Sequence, residues 1–591
     1  MARKKPSALA VVEAAPAPAR RRAFLAITLL LPLLLFGGAE LLLRATGIGA
    51  LEPLFVPVPQ ASGYLQPNPN AVQRFFPDPT DAPDVSIDTT WFPAKKPDGG
   101  LRVFVQGESS AAGFPYGRWA SPAALLAGRL QATYPDRDVE VIGTGMAAVT
   151  SYVLLDFADE IIAQRPDAIV IYTGHNEYLG IGGVGSTLAS ARSPAVARAV
   201  LALRRLHVYR ALERLFASLG GASAPPARGD GTLMSRVARE RSIPLESELY
   251  RRGLEQFEGN LERLLAKYRA AGIPVFIGTL ASNLRDQPPF VSGPTGEPGG
   301  SADESFALAK QHDAAGRYDA ARSAYVAAKD RDQLRFRAPE AFNDVIRRVA
   351  AGNGASVVES EAALAAAARN GIIGGDLMLE HVHPNVEGYF RLASSFYGPI
   401  VARFGDGQTV DDAQARRDIP VTEVDRLQGQ YRVELLKNDW PFVPERRPVT
   451  FPAPADRIEE IAQLWFAGRL GWSEAMDRAF TWYQQQGNDI EAARVAVNLA
   501  DAVINAADPQ YVAGQQLLRA GDPVRGERYL RRAIRLDGTR VEYQMSLAQA
   551  QFMQGRVQDS IATLEAVLAA HPGDERAQYW LGQVRGGAAA H

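Results

Sequence analysis

No cysteine occurs among the 591 residues, which excludes disulfides, thiolate nucleophiles, Cys-ligated zinc and iron–sulfur clusters. Lysine is scarce as well. Only eight of the 64 basic residues are Lys, and the Arg and Ala richness is spread through the chain as a compositional bias that points to no partner. Neither sign of charge dominates: 66 Asp and Glu leave a formal charge of −2 and a pI near 6.4, which removes the electrostatic reason to expect nucleic-acid binding. What is present, 47% hydrophobic and 22% charged residues, is the composition of a folded chain. At roughly 100–200 residues per domain, its length suggests three or four units.

The N-terminus carries Arg3, Lys4, Lys5, Arg20, Arg21 and Arg22, followed by an uncharged apolar run from Ala23 to Ala39 that resumes after Glu40 through Leu43. A bilayer core needs about 20 such residues, and a basic flank favours the cytoplasmic side. The expectation is a cytoplasmic basic tail at 1–22, a single transmembrane anchor at 23–43 in the inner membrane, and everything beyond Arg44 periplasmic or otherwise extracytoplasmic. Gly37 and Ala39 would suit a cleaved signal peptide; the length of the apolar run favours an uncleaved anchor. Residues 44–100, rich in Pro, Asn and aromatics without sustained periodicity, read as a stalk packing on the next domain.

An α/β rhythm then begins. Short apolar, β-branched runs occur at Leu101–Gln106, Asp138–Ile142, Asp167–Thr173, Ile273–Leu280 and Ala355–Glu359, separated by helical patterns such as Pro122–Tyr134, Ser151–Gln164 and Leu249–Ala271. Such alternation implies a parallel sheet covered on both faces, whose ligands bind beyond the carboxyl ends of the strands. The residues there are Gly107-Glu108-Ser109-Ser110-Ala111-Ala112-Gly113, then Gly143-Thr144-Gly145, then Gly174-His175-Asn176-Glu177, and finally Glu380-His381-Val382-His383-Pro384-Asn385.

In that order they resemble the four sequence blocks of the SGNH/GDSL hydrolase family: a nucleophile block GDSxxxG, a Gly block, a GxND-like block and a DxxHP block. The resemblance covers roughly residues 101–400. It implies a flavodoxin-like three-layer α/β fold and an enzyme acting on ester bonds without a cofactor. A Ser hydroxyl needs a neighbouring base, and His fills that role near neutral pH; the resemblance assigns these roles to Ser109 and His383. A carboxylate three residues before the His can hold its tautomer, which points to Glu380, with Asp376 as a substitute. The family's oxyanion donors map to Ser109, Gly145 and Asn176. Three positions depart from the pattern. Glu108 replaces the Asp of the nucleophile block, Gly143 stands where the Gly block usually has Asn, and Glu380 replaces the Asp before the His.

Each residue has a plainer reading beside it. Ser110 is the rival nucleophile, but only Ser109 lies four residues before Gly113. His175 reads as structural. His381 and His383 form an HxH that could ligate a metal on a strand; with Pro384 following and no second His-rich cluster, no metal is expected. Asn283 and Arg285, just beyond the fourth strand, are candidates for binding substrate or for capping a loop.

Two insertions enlarge this domain. Residues 190–272 are mostly helical, with a flexible Gly/Pro/Ala loop at 220–231, and offer a lid. Residues 302–345 contain a single repeat-like pattern in Gly316, Ala321, Tyr325 and Ala328. The pattern recurs at the C-terminus with a 34-residue period: Gly521 and Gly555; Gly514, Ala548 and Gly582; Ala533 and Val567. That period identifies tetratricopeptide repeats, which stack into a concave surface suited to a protein partner. An all-α repeat domain is therefore expected at 457–591, after a Pro-rich connector at 401–456. The combined reading is a membrane-anchored, exported serine esterase or acyltransferase acting on an acylated envelope glycan. The alternative is a non-catalytic envelope assembly scaffold that retains the fold to bind glycan.

Overall fold

The computed structural model describes residues 18–76, 82–83, 85–187, 194–219, 233–295 and 300–588. Most of the basic tail and the 220–231 loop lie outside the described residues. The chain divides into two compact units, one made of residues 1–52, 73–82 and 198–227, the other of 53–72, 83–197 and 228–591.

The first unit begins with α1 (Pro18–Thr46). Its segment Phe24–Thr46, with mean hydropathy 2.1, is the one helix among the described residues long and apolar enough to cross a membrane, by length and composition.

The second unit opens inside the segment expected as a stalk packing on the next domain. Strands β1 (Phe55–Pro57), β2 (Tyr64–Pro67) and β3 (Phe92–Pro93) form a small antiparallel sheet. Each has two to four residues and a terminal Pro, too short to show a period of two. Their Phe55 and Phe92 rings pack edge-on against Phe104, at 5.5 and 6.0 Å between centroids.

Phe104 belongs to β4 (Leu101–Gly107), whose seven residues are all buried. After it the chain runs through α2 (Ser109–Ala112), α3 (Pro122–Thr133), β5 (Val139–Gly143), α4 (Ser151–Ala163), β6 (Ala168–Tyr172), α5 (Pro194–Leu203), α6 (His207–Leu219), α7 (Leu233–Val237), α8 (Glu248–Ala270), β7 (Val275–Gly278), α9 (Ala302–Ala314), α10 (Tyr318–Arg331), α11 (Glu340–Asn353), β8 (Ser356–Val358), α12 (Ser360–Ala367) and α13 (Val386–Phe404). Strands β4 to β8 pair in parallel in the order β5-β4-β6-β7-β8. This is the flavodoxin-like order, whose reversal point lies between the strands flanking β4. All five strand expectations are met, and the caps explain the helix starts. Ser121 and Ser247 accept the backbone N–H of Ala124 and Tyr250, each at 3.2 Å; such a cap contributes about 1 kcal/mol. The repeat-like insertion is the hairpin of α9 and α10, with Ala309, Ala321 and Tyr325 buried against Leu284 and Ile372.

The expected connector is shorter than its assigned span. A helix at Glu423–Lys437 places Val424 and Tyr431 in one core with Ile458, Ile461 and Met476, so the helical array starts at about residue 423 instead of 457. Its antiparallel helices continue to Glu575–Ala588.

Candidate active site

The nucleophile block leaves the buried end of β4 and turns directly into α2, which puts Ser109 at the helix start. From the far end of the domain, α13 is capped by Asn385, whose side chain accepts the Gly388 N–H at 2.9 Å. This cap fixes the chain two residues after His383. The two segments meet with Ser109 Oγ 2.7 Å from His383 Nε2. On the other side of the ring, Nδ1 lies 2.5 Å from Glu380 Oε1. The Glu380 carboxylate is itself held by the backbone N–H groups of His381 and His383, both at 2.8 Å. Phe114 packs on the imidazole, 4.5 Å between ring centroids.

Burial pushes the His383 imidazole down to about 3. The adjacent carboxylate opposes that shift, and the direction set by burial leaves a neutral ring near pH 7. A hydroxyl against a neutral imidazole, with a carboxylate behind it, is an arrangement that can transfer the Ser proton during attack on a carbonyl. Ser110 faces away, its Oγ donating to the Val382 carbonyl at 3.3 Å. Asp376 is exposed and accepts the Arg369 N–H at 2.8 Å, so Glu380 is the carboxylate beside His383.

Near Ser109, the backbone N–H groups of Ser109 and Gly145 have no acceptor among the described residues. A Cβ on Gly145 would stand 2.6 Å from Ala112 N and 2.8 Å from Ala111 C, so only glycine allows this loop to approach the start of α2. The loop after β6 is organised by a residue whose role the sequence did not reveal. Glu108 accepts Thr173 Oγ1 at 2.9 Å and Gly174 N at 2.7 Å on one oxygen, and Asn176 N at 3.1 Å and Nδ2 at 3.2 Å on the other. Burial pushes its carboxyl up to about 8, against these four donors, which favour the ionised form. One hydrogen of the Asn176 amide is engaged by Glu108, leaving the second for another acceptor. Glu177 ties the same loop to α4, accepting Ser151 N at 2.9 Å and Ser151 Oγ at 2.7 Å.

The remaining candidates are committed elsewhere. Asn283 Oδ1 accepts the Asp286 N–H at 2.9 Å, and Arg285 forms a two-point pair with Asp313 at 2.8 and 3.2 Å while donating to the Arg369 carbonyl. These contacts describe loop capping, the second of the two roles considered. His175 is buried and accepts the Ala338 N–H at 3.2 Å. Glu380, His381 and His383 offer ligand atoms within 4.8 Å of one another. Both His383 nitrogens are already engaged by Ser109 and Glu380, so an ion there would have to break that chain of contacts.

Residues 105–391 match the model of the GDSL-like lipase/acylhydrolase family, and residues 511–575 and 554–585 match that of the tetratricopeptide repeat. Among solved structures, TesA is 16% identical over 52% of this chain and 100% of its own, with a TM-score of 0.25. An acetylxylan esterase from Geobacillus stearothermophilus is 16% identical over 51% and 94%, with a TM-score of 0.27. The second tetratricopeptide-repeat domain of the human RPAP3 protein is 18% identical over 19% and 92%, with a TM-score of 0.18. No curated protein matches the sequence. The chain therefore carries a GDSL-like lipase/acylhydrolase domain, an ester-bond hydrolase, over residues 105–391, and tetratricopeptide repeats over residues 511–585.

Proposed function

We propose that the protein is a membrane-anchored, exported serine esterase or acyltransferase acting on O-acyl esters of an envelope glycan, with Ser109, His383 and Glu380 as its triad. The observation that carries this reading is the contact chain from Ser109 Oγ through His383 to Glu380, at 2.7 and 2.5 Å. Ser109 Oγ attacks the ester carbonyl carbon while its proton passes to His383 Nε2. Glu380 stabilises the imidazolium that forms. The negative oxygen is received by the N–H groups of Ser109 and Gly145 and by Asn176 Nδ2. On collapse, His383 returns the proton to the departing alcohol and leaves an acyl group on Ser109. Water or a glycan hydroxyl, deprotonated by the same ring, then takes the acyl group, and this last acceptor separates esterase from transferase.

The N-terminal helix supports the location, and the location together with the breadth of the family supports the substrate class. An apolar segment at Phe24–Thr46 preceded by Arg20, Arg21 and Arg22 suits a single span with the basic end in the cytoplasm. The hydrolase domain would then face envelope polymers. The repeats supply a stacked helical surface for a protein partner.

A fluorophosphonate probe on the full chain tests the mechanism. Wild type should label covalently and hydrolyse a small acyl ester; Ser109→Ala should do neither. Labelling that persists in Ser109→Ala and vanishes in Ser110→Ala would move the nucleophile. A wild type that neither labels nor turns over any small ester would favour the assembly-scaffold reading.

A further inference from the structure

Helix α6 is built inside out. Leu212, Leu215 and Phe216 lie on one face at the spacing i, i+3, i+4, and they are 46%, 50% and 66% exposed. Its charged residues point inward instead. Arg210 is buried and donates to the Arg74 carbonyl at 3.0 Å, while Glu213 accepts both Nε and Nη2 of the buried Arg204, at 3.0 and 2.9 Å. A helix facing water does the reverse. In the repeats, the helix Pro523–Leu536 buries Tyr529, Leu530 and Ala533 and turns Arg531 and Arg535 outward.

The start of α6 is joined to the apolar helix of the same unit. Glu40, near the end of α1, accepts the backbone N–H groups of His207 at 3.1 Å and Val208 at 2.9 Å, and also Arg44 Nε at 2.7 Å. These are the first N–H groups of α6, which have no partner within a helix and favour a negative charge. His207 Nδ1 additionally lies 3.0 Å from the Ile48 carbonyl, just beyond the end of α1. The one acidic residue in the apolar run thus serves to hold a segment 167 residues further along the chain. α6 begins beside the end of α1, where Leu41 and Leu42 of α1 are exposed.

We propose that α6 lies in the interface of the same bilayer that α1 crosses, with Leu212, Leu215 and Phe216 inserted among the acyl chains. The unit is then held by one spanning and one interfacial helix. The proposal rests on the reading of α1 as a membrane span. An amphipathic helix in this position buries its apolar face some 5–10 Å into the headgroup boundary. The lipid surface is favoured over a protein partner because the apolar face starts from a junction fixed to a lipid-length helix, with Glu213 already paired to Arg204 and Arg210 already donating to a carbonyl inside the unit.

The absence of cysteine permits a direct test. Single variants Leu33→Cys in α1, Leu212→Cys and Phe216→Cys in α6, and Tyr579→Cys on the exposed surface of the last helix would each carry a nitrobenzoxadiazole label in the full chain. Each would be reconstituted in phosphatidylcholine vesicles with or without bromine on the acyl chains. The expected result is loss of emission at 33, 212 and 216 in brominated vesicles, with residue 579 unaffected by bromine and quenched by aqueous iodide. Bromine quenching at 33 with iodide quenching at 212 and 216 would place α6 in water and overturn the proposal while sparing the anchor. Labels at 212 and 216 shielded from both quenchers would mean that protein covers the face, which also overturns it. Absence of bromine quenching at 33 would remove the membrane reading of α1 and this proposal with it.

Discussion

Around Ser109, individual polar atoms carry the arrangement. His383 has one nitrogen on Ser109 and the other on Glu380, Glu380 is held by two backbone N–H groups, and Glu108 accepts four hydrogen bonds that shape the Asn176 loop. In the helical array, by contrast, volume carries it: Ala533, Ala548, Leu564 and Val567 are fully buried, and Gly514 lies directly against Leu530. The first region should respond to the loss of single atoms with large changes in rate and little in stability. The second should respond to added volume with a change in stability and none in rate.

The largest effect expected from one atom replacement is at Glu380. Glu380→Gln keeps the shape and removes the charge that stabilises the imidazolium, and an amide nitrogen turned toward Nδ1–H cannot accept from it. Replacement of the triad carboxylate typically lowers kcat by roughly 10⁴-fold. Steady-state turnover of a small ester alongside circular dichroism would measure this; turnover within a few fold of wild type would leave a Ser–His pair as the working unit. The longer Glu would then be a structural clasp for its two backbone donors.

Asn176→Ala comes next, with an expected loss of roughly 10²–10³ in kcat for one oxyanion donor. Because Asn176 also donates to Glu108, the comparison sharpens if Glu108→Gln is measured in parallel. If the carboxylate only shapes the loop, Glu108→Gln should cost less in kcat than Asn176→Ala. Equal losses in the two variants would mean that Asn176 acts only through the loop.

The pH profile is a smaller effect. His383 must be neutral to act as base, and burial sets its pKa below the ordinary 6.5. Protonation, and with it the loss of the base, therefore occurs at lower pH than for an exposed histidine. At pH 5, a base with an unshifted pKa near 6.5 would be about 30-fold less available than at pH 8. The expectation is kcat/KM at pH 5 within a few fold of its value at pH 8, and an acid limb centred near 6.5 would show that the site is wetter than its geometry.

The two regions also differ in how openly the sequence declares them. The five strands of the parallel sheet were legible because each is a near-continuous apolar run, and the parallel pairing of β4, β5 and β6 places the first three motif loops at neighbouring carboxyl ends. The repeats were legible through their 34-residue spacing. What the sequence concealed depends on long-range pairing. Glu108 reads as an imperfect Asp until the loop after β6 is seen to hang from it, and Arg285 reads equally as a substrate ligand or a loop cap until Asp313, 28 residues away, is found beside it. Strands β1 to β3 and the helix Glu423–Lys437 were missed for local reasons, the strands because they are too short for periodicity, the helix because the Pro-rich flanks around it dominate the composition.

Added volume in the repeats should give the smallest effect on catalysis. A Cβ at Gly514 would stand 2.6 Å from Leu530 Cγ and 2.9 Å from its Cδ2, closer than packed carbons approach, so Gly514→Val forces the two helices apart or Leu530 into another rotamer. Overpacking of this kind costs about 1–3 kcal/mol. The hydrolase domain meets the array through the stacked rings of Trp119 and Trp472 at 5.4 Å and the Arg118 to Asp501 carbonyl bond at 3.0 Å, and Asp501 accepts in turn from Tyr529, the chain neighbour of Leu530, at 2.9 Å, so the contact with Ser109's domain is made by side chains other than Leu530 itself. The denaturation midpoint of Gly514→Val should therefore fall while kcat on a small ester stays within about twofold of wild type, since no atom near Ser109 depends on Leu530. A Gly514→Val protein that keeps its midpoint would show that Leu530 has room to move. One that loses turnover while still folded would join the two regions into a single unit, with strain in the repeats reaching the nucleophile loop through Trp119.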